Sequence, residues 1–251
     1  LQLFGETGLV HALDRPVDTF DSALARAEQL FGPARRLRHH YRSRHESLFA
    51  AANRLCYDDQ VTVAPSPDPA GTDLGITCQV LEDGLFHEGR NLPEAEAVVE
   101  AAIRHAVHHP ELSLGIVALT RAQREAIEDL LERRIEQDRA LRAFCAAHER
   151  ASDSWVVGTV DTMQGRVRDV ILVSMTYGRD ADGCFSHRFA SLEGAHALQR
   201  LSVLFTRATT RTEVFCSFDP DRLDERALTQ HGLASLRDFL RYAKSRRLPP
   251  A

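Results

Sequence analysis

Lysine is almost missing from this 251-residue chain: of its 31 basic Lys and Arg residues, only Lys244 is lysine. A phosphate-cradling Walker loop needs a lysine directly after its second glycine, and Lys244 stands in Tyr242-Ala243-Lys244-Ser245 with no glycine beside it. The chain therefore has no P-loop. The same scarcity excludes nuclease centres that use a strand lysine beside paired acids, because the surroundings of Lys244 read as helix. Long apolar runs are missing too: Val170-Ile171-Leu172-Val173 falls far below the roughly 18 residues that a membrane helix needs. The five cysteines (Cys56, Cys78, Cys145, Cys184, Cys216) are scattered without a C-x-x-C, so neither a disulfide framework nor a zinc site is indicated, and a cytoplasmic location fits. The pairs His39-His40 and His108-His109 lack spaced Cys or His partners, so no metal site is expected. No G-x-S-x-G elbow is present, nor a glycine-rich dinucleotide loop after a strand.

What is present is a globular composition, 43% hydrophobic and 27% charged, with enough apolar mass for a sizeable core. A formal charge of −5 rules out global attraction to nucleic acid, so any such binding must come from a local face. The start, Leu1-Gln2-Leu3-Phe4-Gly5, has neither an initiator Met nor the layout of a secretion signal, so a fragment of a larger protein is expected.

From Leu37 onward, strand-like and helix-like segments alternate, the pattern of an α/β fold with a mostly parallel sheet and helices on both faces. Leu114 to Leu119 is a continuous apolar run suited to a buried parallel strand. Thr120 can cap the helix that follows, with Gln123 completing a capping box and Ile127, Leu130, Leu131 and Ile135 forming an apolar stripe. Val156–Val160, Asp169–Met175 and Thr212–Phe218 are rich in strand formers. Leu37–Tyr41 and Ile76–Leu81 are weaker strands expected at or near the edges. Helices are expected at Phe20–Phe31, where Phe20, Leu24, Ala27 and Phe31 share a face, at Glu46–Leu55, at Pro93–His108 and at Leu233–Arg246. The prolines of Pro65-Ser66-Pro67-Asp68-Pro69 demand an extended connector.

Three separated stretches carry the chemistry. They are Leu37-Arg38-His39-His40-Tyr41-Arg42-Ser43-Arg44, then Val160-Asp161-Thr162-Met163-Gln164-Gly165-Arg166-Val167-Arg168-Asp169, then Leu201-Ser202-Val203-Leu204-Phe205-Thr206-Arg207-Ala208. In order and content they resemble motifs IV, V and VI of superfamily 1 helicases, on the branch of the RNA-surveillance and Okazaki-fragment-processing enzymes. The resemblance covers roughly Leu37 to Phe218. Tyr177–Gly183 and Ser235–Ala243 look like a bacterial multidomain group within that branch.

The resemblance implies a RecA-like fold and an ATP-dependent helicase. Residues 1–36 would be a connector from a missing N-terminal lobe, and 37–251 the second motor domain. That missing lobe would bind most of the ATP and Mg2+, so this fragment alone would be inactive. Arg42 and Arg207 match the guanidinium donors that reach the γ-phosphate, with Arg207 as the arginine finger beside Thr206. Gln164 and Gly165, placed where a loop enters a helix, would line the same cleft. Thr120, Gln123, Thr159 and Asp161 are candidates to grip a single strand of DNA or RNA, because short polar side chains and helix starts suit phosphate. Taken singly, each feature has a plainer reading: an arginine at a strand-to-helix junction forms surface ion pairs, Gln164-Gly165 is a turn, and Thr120 is a cap. Val167, Ser202 and Thr209 depart from the usual Glu, Asn and Arg of these motifs. A degenerate lobe that binds nucleic acid or protein without ATPase activity is the alternative function.

Overall fold

The computed structural model describes residues 23–71, 73–148, 155–185, 189, 192, 197–223 and 231–248. The chain divides into two compact units between Arg38 and His39. In the first, helix α1 (Ala23–Phe31) lies within the helix expected at 20–31, with Phe20 outside the described residues. Its Leu24 and Phe31 are 62% and 73% exposed, so the described part of its apolar face is not buried.

In the second unit, β1 (His39–His40) is followed by α2 (Ser47–Tyr57), β2 (Thr62–Val63), β3 (Gly75–Val80), the short β4 (Phe86–His87) and β5 (Arg90–Asn91), and α3 (Leu92–His108). Then come β6 (Leu114–Ala118), α4 (Arg121–Gln137), α5 (Arg139–His148), β7 (Val156–Thr159), β8 (Arg168–Ser174), α6 (Ala197–Phe205), β9 (Ala208–Cys216) and α7 (His231–Ser245). Five strands form the central sheet in the order β3-β9-β8-β6-β7, with every neighbouring pair parallel. This is the α/β class expected from the sequence. Alternation along the strands splits the core in two. Leu114, Ile116, Val170, Leu172 and Phe215 pack with α3, α4 and α5, whereas Val117, Ile171, Val173, Val214 and Cys216 pack with α2, α6 and α7. Parallel strands covered on both faces must be apolar throughout, and β6 is buried at all five positions.

Local chemistry sets the helix limits. Asn91 caps α3 by accepting from the Glu94 N–H at 3.2 Å, with Pro93 in the first turn. Thr120 caps α4 through the Gln123 N–H at 3.1 Å. Asp58, in the left-handed region at φ 51°, stops α2. The proline-rich segment 65–69 carries neither helix nor strand.

Three expectations need correction. Leu37–Tyr41 contributes only His39 and His40, which pair with Thr62 and Val63 in a separate two-stranded sheet rather than at the edge of the main one. The strand expected at 212–218 begins earlier, at Ala208, because a parallel partner in β8 extends the ladder. Helices α5 and α6 also lie where no helix was read; Asp138, whose carboxylate accepts from the Leu141 N–H at 2.8 Å, was the start signal for α5.

Candidate functional site

Parallel strands give the sheet two chemically distinct rims, one of amino ends and one of carboxyl ends. Arg42 and Arg207 share the first. Arg207 lies between the end of α6 and the start of β9, a helix-to-strand junction rather than the strand-to-helix one expected, and its carbonyl accepts from the Arg168 N–H at 3.1 Å where β8 begins. Arg42 sits in the loop between β1 and α2. The Arg44 N–H pins that loop to the rim by donating to the Thr209 carbonyl at 2.7 Å. His40 tightens the turn: its ring stacks on Phe49 at 4.0 Å, and its Nε2 accepts from the Ser43 N–H at 3.2 Å. Burial, then the neighbouring Arg42 charge, lower the His40 pKa from 6.5, so the imidazole stays neutral and the cations here are guanidiniums.

The electrostatics of Arg207 set it apart. Its pKa is lowered from the ordinary arginine value, first by burial and then by the positive charge of Arg42, with Tyr57 opposing. One Nη donates to the Thr206 hydroxyl at 2.8 Å, and that hydroxyl donates to the Ser202 carbonyl at 2.7 Å. The buried Nε has no hydrogen-bond partner among the described residues. Two like charges at a half-buried rim, one with an orphaned donor, form a site electrostatically incomplete without an anion. Arg42 is exposed.

Thr209, which stands where the motif usually has arginine, has a local task. Its hydroxyl donates to Asp169 at 2.8 Å, while the other Asp169 oxygen takes the Ser113 N–H at 3.0 Å and hydroxyl at 2.8 Å. Burial raises the Asp169 pKa, but these hydrogen bonds and the Arg44 charge outweigh it and leave the carboxyl below its ordinary value. The triad ties together the starts of β8 and β9, the platform on which Arg207 stands.

The four candidates for single-strand contact lie elsewhere. Thr120, Gln123, Thr159 and Asp161 lie at or just beyond the carboxyl ends of β6 and β7, whereas Arg207 precedes the amino end of β9. Gln164 and Gly165 are exposed in the turn that leads from β7 back to β8; no helix begins there, contrary to expectation. Gly165 has φ +79°, and an added Cβ would meet open space, so the backbone conformation calls for glycine. Thr159 engages Thr162, whose hydroxyl accepts from the Thr159 N–H at 2.8 Å. Asp161 is paired with Arg200 at 3.1 Å. A carboxylate repels phosphate, and this one already holds a cation.

Gln123 is the clearest correction. It is fully buried, its side chain accepting from the Asn91 N–H at 2.7 Å and donating to the Asn91 carbonyl at 2.9 Å and to Ser174 Oγ at 3.0 Å. It neither returns to the Thr120 N–H as a capping box would require nor reaches a surface where nucleic acid could touch it. Thr120 itself is committed, donating to the Gly89 carbonyl while capping α4.

Gln123 belongs to a network that sequence reasoning missed. Glu94, fully buried in the first turn of α3, accepts from Ser174 Oγ at 2.6 Å, from the Thr176 N–H at 2.5 Å and from Ser217 Oγ at 2.7 Å. Asn91 Nδ2 donates to Ser217 Oγ at 2.8 Å. Burial pushes the Glu94 pKa up to about 7, although the hydrogen bonds pull the other way. The available sequence signal was an Asn-x-x-Glu pair spanning the start of an apolar stripe, which reads as an ordinary helix start.

Comparison with known proteins adds family context. A family described as an AAA domain matches residues 82–219, a span that includes Arg207 but not Arg42. An uncharacterized ATP-dependent helicase of Mycoplasma pneumoniae, an MG140 homolog, is 29% identical over 184 residues, 71% of this chain. The MG140 protein of Mycoplasma genitalium, of the same description, is 29% identical over 185 residues. The chain spans 16% of the length of each of these relatives. Among solved structures, the C-terminal domain of a possible DNA helicase from Lactobacillus plantarum aligns with a TM-score of 0.42 at 15% identity, covering 70% of this chain and 87% of that one.

Proposed function

The chain belongs to this AAA domain family, and from that premise we propose that it is the C-terminal, RecA-like motor lobe of an ATP-dependent superfamily 1 helicase acting on DNA or RNA in the cytoplasm of a bacterium. The observation that carries the reading is the pairing of Arg207 with Arg42 at one rim, without an acidic partner for either among the described residues. Hydrolysis of ATP spreads negative charge over the transferring phosphoryl group, and preorganised guanidiniums stabilise that charge. Arg207 is half-buried, held by Thr206 and backed by the Asp169 platform, so its geometry is fixed before any partner arrives. Arg42, on its pinned loop, would complete the clamp. Gln164 and Gly165 would add backbone contacts to the nucleotide.

The lobe lacks a P-loop, so ATP and Mg2+ would be held mainly by a preceding lobe of the same protein. Closure would bring Arg207 and Arg42 onto the γ-phosphate, and opening would release them. The two lobes' alternating grip on a single strand would then give stepping. On this lobe, Thr120 and Thr159 remain strand-facing candidates, both partly exposed and, unlike Asp161, without negative charge. The names of the Mycoplasma relatives support ATP-dependent helicase activity for the whole protein.

The test is Arg207→Ala in a protein carrying both lobes. Nucleic-acid-stimulated ATP hydrolysis should fall by roughly 10³-fold or more, the contribution of an arginine finger, with ATP still bound. Unchanged hydrolysis would remove Arg207 from the finger role. Val167 favours the second reading, a nucleic-acid or protein binding lobe without turnover; ATP binding without any hydrolysis in the unsubstituted protein would select it.

A further inference from the structure

Open α/β sheets take ligands in the crevice outside their carboxyl ends, at points where neighbouring strands send their helices to opposite faces. This sheet has two such points. At the first, β6 leads to α4 on one face and β8 leads to α6 on the other. That crevice is closed: Gln123 and Glu94 fill it and are themselves fully buried. At the second, β3 leads to α3 and β9 is followed by α7 on the opposite face. There the carboxyl ends frame an open cavity of about 530 Å³, within the range of small-molecule sites.

The lining tells what would fit. Phe185 and Phe218, ring centroids 5.0 Å apart and inclined at 53°, form an aromatic wall continued by Leu81 and Leu223. Two cations, Arg179 and Lys244, and two acids, Glu82 and Asp219, also line the cavity. Arg179 is exposed and donates one N–H to the Gly183 carbonyl at 3.2 Å, which leaves most of its planar fork to face the cavity. Lys244, the single lysine of the chain, projects from α7 and lies 3.8 Å from Asp219. That carboxylate also accepts from the Asp221 N–H at 3.2 Å, so Lys244 holds a long ion pair that a bound phosphate would have to draw away. At the inner wall, Ser217 is oriented from behind by Asn91 and Glu94. Aromatic surface, a guanidinium fork and an ammonium together match a flat ring that carries an anionic group.

We propose that this cavity is a second nucleotide site, separate from the Arg42 and Arg207 rim, in which the base lies against Phe185 and Phe218 while Arg179 and Lys244 hold the phosphate. The ligand is either a free mononucleotide or a nucleotide of a bound single strand, since both present the same ring and phosphate. The site stands whether or not the lobe belongs to a motor, because none of its residues is part of the arginine rim.

Titration of the chain with AMP, with a short 5′-phosphorylated oligonucleotide and with inorganic phosphate tests it, read by calorimetry and by chemical shifts at the cavity. Saturable AMP binding should weaken by roughly tenfold or more in Arg179→Ala and in Lys244→Ala, as loss of a charged hydrogen bond implies. Both substituted side chains are exposed, so the fold survives their removal. If the oligonucleotide displaces AMP and binds more tightly, the source is the strand; if it does not compete, the source is the free nucleotide. Three results would overturn the proposal: no saturable binding of either nucleotide, binding indifferent to both cavity substitutions, or phosphate binding as tightly as AMP.

Discussion

At the carboxyl ends of β8 and β9, a buried carboxylate takes hydrogen bonds from two hydroxyls and a backbone N–H. At the amino ends of the same strands, Arg207 holds a guanidinium beside Arg42, its Nε without a partner among the described residues. The same two strands therefore end in one polar cluster that is internally complete and one that is not. A complete network stabilises and rigidifies; an incomplete one of like charges keeps its interaction capacity for something outside the chain. Composition does not separate them, since both contain charged residues near sheet ends. The difference is whether the partners come from within.

Substitutions can break this comparison. Glu94→Ala should cost most, because it strands Ser174, Ser217 and the Thr176 N–H, at about 1–3 kcal/mol for each orphaned buried group; urea unfolding measures it. Arg207→Met, by contrast, should change stability by no more than about 0.5 kcal/mol, because it removes a like-charge neighbour of Arg42. Equal losses in the two variants would mean that the amino rim is a structural cluster as well.

The second difference lies in pH. The folded-state pKa of Glu94 is raised from its ordinary 4.5 to about 7. Unfolded chains release this proton first, so Glu94 makes stability fall as pH climbs through that interval, and below it the effect vanishes. Glu94→Gln keeps an acceptor for the Thr176 N–H and has no proton to lose, so its stability should be flat over the same range by denaturant midpoint. A slope unchanged in Glu94→Gln would assign the effect to another group. An intermediate effect is expected at the amino rim's platform: Thr209→Val removes one hydrogen bond to Asp169 and should cost roughly 1 kcal/mol, read by the same unfolding assay.

The legibility of the sequence followed the kind of interaction. Periodicity located β3, β6, β7, β8, β9, α3, α4 and α7 because burying an apolar stripe or run is a local requirement that leaves a local pattern. It missed α5, which follows α4 after the single residue Asp138, and α6, which overlaps a functional stretch. Arg42 and Arg207 were legible only as a pair of motifs, since either one alone is an ordinary arginine. Gln123 was misread for the opposite reason. Its spacing from Thr120 fits a capping box, but its amide was claimed by Asn91 and Ser174, residues 32 and 51 positions away along the chain.

The sequence by itself determined that the chain is an α/β protein without a P-loop, because strand and helix periods are written in consecutive residues and one missing lysine chemistry is enough to exclude that loop. Only the tertiary structure decided which polar residues face outward. It placed Arg42 beside Arg207 through a backbone bond from Arg44 to Thr209 and buried Gln123 with Glu94. It also closed one crevice of the sheet while leaving the other open. Those outcomes depend on contacts between residues distant along the chain, and no local pattern records whether a polar group will be met by a neighbour or by water.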